Sequence, residues 1–249
     1  MRLRFVLGMV ALLCCLAQPC LADVLITMKI QSDAIDELKM APGEQTNTTW
    51  LGENKLREDA GDRCTIIDND AKKLFVINHA RKSYFAFDLP ADLLAEVPEE
   101  MRLQIEEANF RNKVDIEVTP TDESKEINGF HTKKYLIEVG GANVLPTSRE
   151  QWMTEDVGFD VDIYKNMMKS LLAAQPIGSE WMNKLLEIKG FPVLAVSSVE
   201  VRGQVVRTKE ELVSVEEKPP AEGTYVPPAG YTEEAFDFRK MMQQQGAGG

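Results

Sequence analysis

The sequence predicts an α+β protein built around an antiparallel sheet, and two observations lead there. The first is the stretch Arg63 to Leu89. Three short apolar runs, rich in β-branched and aromatic residues, alternate with connections of Asn, Asp and Lys. These connections are too short for a crossover helix, so neighbouring runs pair antiparallel as a β-meander. The second is the order in which hydrophobic periods change along the chain. Strands are followed by a helical stretch, more strands, a helix pair and a final long hairpin.

The chain opens on a predicted secretory leader, Met1 to Ala22. Arg2 and Arg4 supply its charged start, Phe5 to Leu16 its apolar run, and Cys20-Leu21-Ala22 the cleavage site. The run is too short to span a bilayer comfortably. Ala17-Gln18-Pro19 before Cys20 is a poor lipidation box, so a soluble mature chain beginning at Asp23 in the periplasm is expected over a lipoprotein. Loss of the leader takes two arginines and no acid, leaving 26 basic against 40 acidic side chains, a net charge of −14. That balance argues against nucleic acid and anionic membrane surfaces as partners. Three of the four cysteines leave with the leader, so the remaining Cys64 has no internal disulfide partner and the core must hold the fold. No second apolar stretch is long enough to cross a membrane.

The first mature strand is read from Val24, Ile26, Met28 and Ile30 alternating with polar neighbours. Thr46, Thr48 and Trp50 share one face of a second, and Lys55-Leu56-Arg57 leads through Ala60-Gly61-Asp62 into the meander. Leu94, Val97, Met101, Ile105 and Ala108 recur at helical steps, with Pro98 as first residue of a helix and Glu99 and Glu100 suited to its N-terminus. Val114, Ile116 and Val118 mark the next strand, Pro120 to Glu126 a polar connection, and Ile127-Asn128-Gly129-Phe130 a turn into a strand through Val139. Gly140 to Glu150 reads as a loop, before a short strand at Gln151 to Met153. Asp160 and Ser179 are the predicted caps of two helices. The first has the stripe Ile163, Tyr164, Met167, Met168, Leu171 and Leu172, the second Trp181, Met182, Leu185 and Leu186. Phe191 to Arg202 and Val205 to Glu217 form the last hairpin, and Glu233 to Gln244 a short helix before a frayed tail. With no repeat and no composition shift, residues 23–231 are expected to be one domain, followed by a short helix and tail over 232–249.

In its order of elements the chain resembles the bacterial periplasmic proteins of the lipoprotein-carrier (LolA-like) fold, within an uncharacterised branch. Trp50 to Arg57, Cys64 to Tyr84, Ile127 to Phe130 leading to Lys134-Tyr135, Gly190-Phe191-Pro192-Val193 and Pro228-Ala229-Gly230-Tyr231 carry the likeness. The resemblance implies a curved, incomplete antiparallel barrel, with helices covering its concave side and an apolar interior that holds acyl chains. On that scheme the cavity is lined by Phe85, Phe87, Ile163, Met167, Leu171, Trp181, Met182, Leu185 and Val193. Methionines beside the helix pair suit an adaptable apolar wall, although the same stripes also describe ordinary core packing.

Chemistry is sparse. His79 falls in a predicted turn and His131 at a strand start, read as two surface histidines rather than a metal or acid/base pair. Cys64 has no sequence neighbour to activate it and reads as a small buried strand residue. Asp68-Asn69-Asp70 lacks the glycine and distant glutamate of a calcium loop and reads as a hairpin turn. No nucleophile elbow or phosphate loop is present, so neither cofactor nor metal is expected and an enzyme ranks last. The expected function is a periplasmic carrier for a lipid, acyl chain or lipoprotein. The alternative is an interaction or stress-sensor module that docks another envelope protein through a sheet edge or helix face.

Overall fold

The computed structural model describes residues 23–237 except 36–39, 112, 143 and 175–179, and leaves aside the side chains of 109, 110, 173, 174, 180 and 181. The predicted leader, the Ser179 cap and the tail beyond 237 lie outside the described residues. Strands dominate: β1 (Asp23–Ser32), β2 (Gly43–Leu51), β3 (Lys55–Ala60), β4 (Arg63–Asp68), β5 (Lys73–Asn78), β6 (Ser83–Asp88), β7 (Val114–Ile127), β8 (Phe130–Gly141), β9 (Val144–Thr154), β10 (Phe191–Val201), β11 (Gln204–Lys218) and β12 (Thr232–Glu233). The helices are α1 (Glu99–Arg111), α2 (Val161–Ala174) and α3 (Glu180–Leu186).

All strands join one sheet in the order β12-β6-β5-β4-β3-β2-β1-β11-β10-β9-β8-β7. The two ends do not meet, which is consistent with a curved, incomplete barrel. Every pairing is antiparallel except that of β12, which lies parallel on β6. The meander is β4 to β6, as its composition predicts. Its two connections use the same chemistry: Asp68 Oδ1 accepts from Ala71 N, and Asn78 Oδ1 from Arg81 N, both at 2.9 Å. Each connection then returns to its strand through a lysine in the left-handed region, Lys72 or Lys82.

Register places large apolar residues directly opposite one another. Val24, Leu51, Leu56, Ile67, Leu74 and Phe87 form one rung across six strands. The same face receives the α2 stripe, with Met167 in the cluster and Ile163, Tyr164, Met168 and Leu171 against it. Asp160 caps α2 through Asp162 N at 2.9 Å. Asn69 at the β4–β5 turn donates to Met167 Sδ at 3.2 Å, tying helix to sheet. The opposite face carries Cys64, Ile66 and Ile77, covered by Tyr225 and Tyr231 of the C-terminal segment.

Three sequence expectations need correction. Gly140 to Glu150 is not a loop, because β8 continues to Gly141 and β9 already starts at Val144. Polar side chains at its helix-face positions, Arg149 above all, hide the strand from a search for alternating apolar residues. Pro120 to Glu126 likewise belongs to β7, with a register shift between Pro120 and Ser124. Proline lacks an N–H but is tolerated here because β7 is the sheet's end strand. The predicted helix from Glu233 also fails at its start, since Glu233 sits in β12 and 234–237 are not helical.

Asn128 and Gly129 both have positive φ, 51° and 83°, as a two-residue hairpin turn requires. Asn128 Nδ2 reaches β11 and donates to Leu212 O at 3.0 Å, so the β7–β8 tip bends back over the sheet. At Gly190 the φ is +87° and an added Cβ would lie 2.2 Å from Thr154 O. Gly190→Ala should therefore lower the melting temperature sharply. Ile67→Ala should cost about 2–5 kcal/mol in urea denaturation, because Ile67 is fully buried at the centre of the rung.

Candidate functional site

The β6 edge is where helix-face side chains meet open space. Phe85 and Phe87 leave β6 on that face, and Phe236 packs edge-on against both, at ring-centre distances of 5.5 and 5.1 Å. Phe236 also joins the small cluster of Leu94, Val97, Met101 and Ile105 around α1. Between β6, the 90–96 turns and the C-terminal segment lies a groove of about 780 Å³. The described residues lining it are Ala86, Phe87, Pro90, Ala91, Ala95, Ala235 and Phe236 together with Asp88, Asp92, Glu96, Glu233 and Glu234, and Lys73 bonds Asp88 at 2.6 Å.

The predicted cavity residues come together only in part. Met167 and Val193 lie within the main buried cluster, with Phe87, Ile163 and Leu171 packed against it. Phe85 stands beside Phe236. Leu185 belongs to a different cluster with Ile137, Met153 and Ile188. Met182 is half-buried on α3, and the Trp181 side chain lies outside the described residues. The α2 stripe thus rests on the sheet, and the open volume lies at the β6 edge.

The helix face also carries polar groups that periodicity does not reveal. Arg149 grips Glu210 with two bonds of 2.8 and 3.1 Å and donates to Gln151 and Ser197. Burial raises the pKa of Glu58, and the Asp59 charge adds to it. The Tyr164 phenol is pushed up by burial and then by Glu58 and Glu210.

On the opposite face the sheet assembles a cluster the spacing did not disclose. Contrary to the reading of His79 as a surface residue, Asp59, Cys64 and His79 bring one ligand atom each within 4.8 Å of one another. Asp59 and Cys64 are direct cross-strand partners. His79 Nε2 stands 3.5 Å from Asp59 Oδ1, and His79 Nδ1 is 2.9 Å from Tyr231 Oη. Arg57 donates to both Asp59 oxygens, at 2.7 and 2.9 Å. Burial alone would raise the Asp59 pKa, but Arg57, with smaller help from Cys64 and His79, holds the carboxyl below its usual value. The signal in sequence was the Gly61-Asp62 turn: a two-residue hairpin there places Asp59 opposite Cys64.

The expectation that Cys64 is a buried strand residue agrees with its 1% exposure. Burial pushes its thiol from 9.0 up to about 12, with Asp59 adding to the effect. A pKa raised on folding gives stability that is complete below the unfolded value and lost as pH climbs through the folded one. Stability should therefore fall between about pH 9 and 12 in equilibrium unfolding. Cys64→Ala should remove that part of the alkaline loss. In the native protein at pH 8, alkylation of Cys64 should follow the opening of the fold rather than reagent concentration.

No curated protein matches the chain. Two solved structures of PNGF-II, in space groups C2 and P21, are 12% and 14% identical and cover 89% and 90% of this chain, each with a TM-score of 0.41. The chain spans about a third of their length, 32% and 34%. A Vibrio parahaemolyticus domain, described as an outer membrane lipoprotein-sorting protein, is 8% identical, with 81% of this chain and 87% of that one covered and a TM-score of 0.27. The fold is accordingly defined by its own strand order. A family model, domain of unknown function DUF4412, matches residues 26–231, and the chain belongs to that family.

Proposed function

We propose that the protein is an exported, non-enzymatic carrier that holds an acyl chain or similar apolar group in the groove at the β6 edge. The observation that carries this reading is the groove itself, about 780 Å³ in volume, with Phe87 of the central rung and Phe236 among its apolar lining residues. A volume in this range is typical of small-molecule sites. Phe236 forms one wall, reaching the sheet from the C-terminal segment and held there by ring contacts with Phe85 and Phe87. The lining carboxylates Asp92, Glu96, Glu233 and Glu234, beside the Lys73-paired Asp88, disfavour an anionic ligand and favour a neutral or cationic polar end, such as the acylated terminus of a polypeptide. Periplasmic residence follows from the leader read in the sequence. Among the described residues no helix is long and apolar enough to cross a membrane.

A second reading has its own observation. β7 is a 14-residue end strand, and among the described residues its outer edge pairs with no other strand, which suits docking by strand addition.

The carrier is tested with a neutral acyl amide bearing an environment-sensitive fluorophore. Saturable binding is expected, with a fatty acid of the same length binding more weakly. Ala95→Trp, which fills the groove from an exposed position, should abolish it while the melting temperature holds. Absence of saturable binding, together with protein free of lipid by native mass spectrometry, would end the carrier reading and leave the docking module.

A further inference from the structure

We propose that Asp59, Cys64 and His79 form a binding site for a thiophilic divalent cation of the zinc class. Each offers one ligand atom, an oxygen, a sulfur and a nitrogen, and all three lie within 4.8 Å of one another. These are the donor types zinc takes, and ligand atoms around a tetrahedral ion at bonds of about 2.0–2.3 Å stand somewhat closer than this. Closure of the site therefore needs only small side-chain movements.

The framework around the three residues is that of a prepared site. Asp59 and Cys64 are fixed by direct pairing of β3 and β4. His79 is fixed by its backbone N–H, which donates to Asp62 O at 2.8 Å. Its ring is oriented by Tyr231, whose hydroxyl is 2.9 Å from Nδ1, leaving Nε2 to face Asp59. An outer partner on the second ring nitrogen is what a metal-bound histidine ordinarily has. Arg57 plays the same part for the carboxylate, orienting Asp59 through two bonds while leaving lone pairs free. Cys64 closes the site from below at 1% exposure, while Asp59 and His79 keep 27% of their side-chain surface open for entry of an ion. On binding, the Cys64 S–H bond breaks, sulfur donates its electron pair to the cation, and the proton leaves to water.

The site ties the C-terminal segment to the sheet. Tyr231 touches His79 directly, and Thr232 N then donates to Lys82 O at 3.0 Å to begin β12. A bound cation would rigidify His79 and, through Tyr231, the start of the strap that ends in Phe236. This role is independent of what occupies the groove.

The test titrates chelator-treated full-length protein with cobalt(II) and then zinc(II). One equivalent of cobalt should produce a thiolate-to-metal charge-transfer band, zinc should displace it, and zinc should raise the melting temperature. Cys64→Ser should abolish the band. Tyr231→Phe, which keeps every ligand, should weaken cobalt binding roughly 10–100-fold. A folded wild-type protein that gives no thiolate band, or a band that survives in Cys64→Ser, overturns the proposal. If Cys64→Ser does not fold, His79→Gln decides instead: an unchanged cobalt affinity in that variant is equally fatal.

Discussion

One rung of side chains governs this fold. Val24, Leu51, Leu56, Ile67, Leu74 and Phe87 lie opposite one another across six antiparallel strands. Side chains alternate between the faces of a sheet, so a slip of one residue in any of these pairings would turn a buried residue to the other side. The tight connections at Gly61-Asp62 and the two lysine-closed loops prevent that slip by fixing strand offsets locally. The α2 stripe then has a single apolar surface to rest on, and Met167 completes it.

The rung has a consequence for the opposite face. β4 buries Cys64 and Ile66 on that side as well as Ile67 on the helix face, so the sheet needs cover on both. The chain supplies the second cover from its own C-terminal segment. Tyr225 bonds Asp23 at the start of β1, Arg57 donates to Thr224 O at 3.0 Å, and Tyr231 packs beside His79. The segment then passes along β6 as β12 and brings Phe236 round to the helix face. One strap thus touches both surfaces proposed to bind something, the groove and the metal cluster. Its position at β6 also covers an edge that would otherwise invite pairing by another chain.

Much of this was legible in the sequence because it is local. The meander, the Asn128-Gly129 turn, the Asp160 cap and the α2 stripe each depend on residues within a few positions of one another. Turn chemistry and periodicity report such features directly. Only the end of β9, Gln151 to Met153, was legible, because Thr147 and Arg149 replace the apolar residues that mark the start of the strand, and the Arg149 partners Glu210 and Ser197 lie on other strands. Pro120 read as a break because its tolerance depends on β7 being an end strand, a property of the sheet.

The sequence by itself determined the antiparallel framework, the helical stripes and the burial of Cys64, all consequences of short-range pattern and composition. Only the tertiary structure decided where the open volume lies and which polar residues meet. Met167 and Val193 are apolar in the right period for a cavity wall, yet they are packed, because the rung beneath α2 fills that space. Phe236 and Phe85 are 151 positions apart and make contact only because the strap wraps the β6 edge. Asp59, Cys64 and His79 meet because β3 and β4 pair in register and the β5–β6 turn brings His79 back beside them. Contacts of this kind depend on loop closure and register across the whole sheet, and no local pattern encodes them.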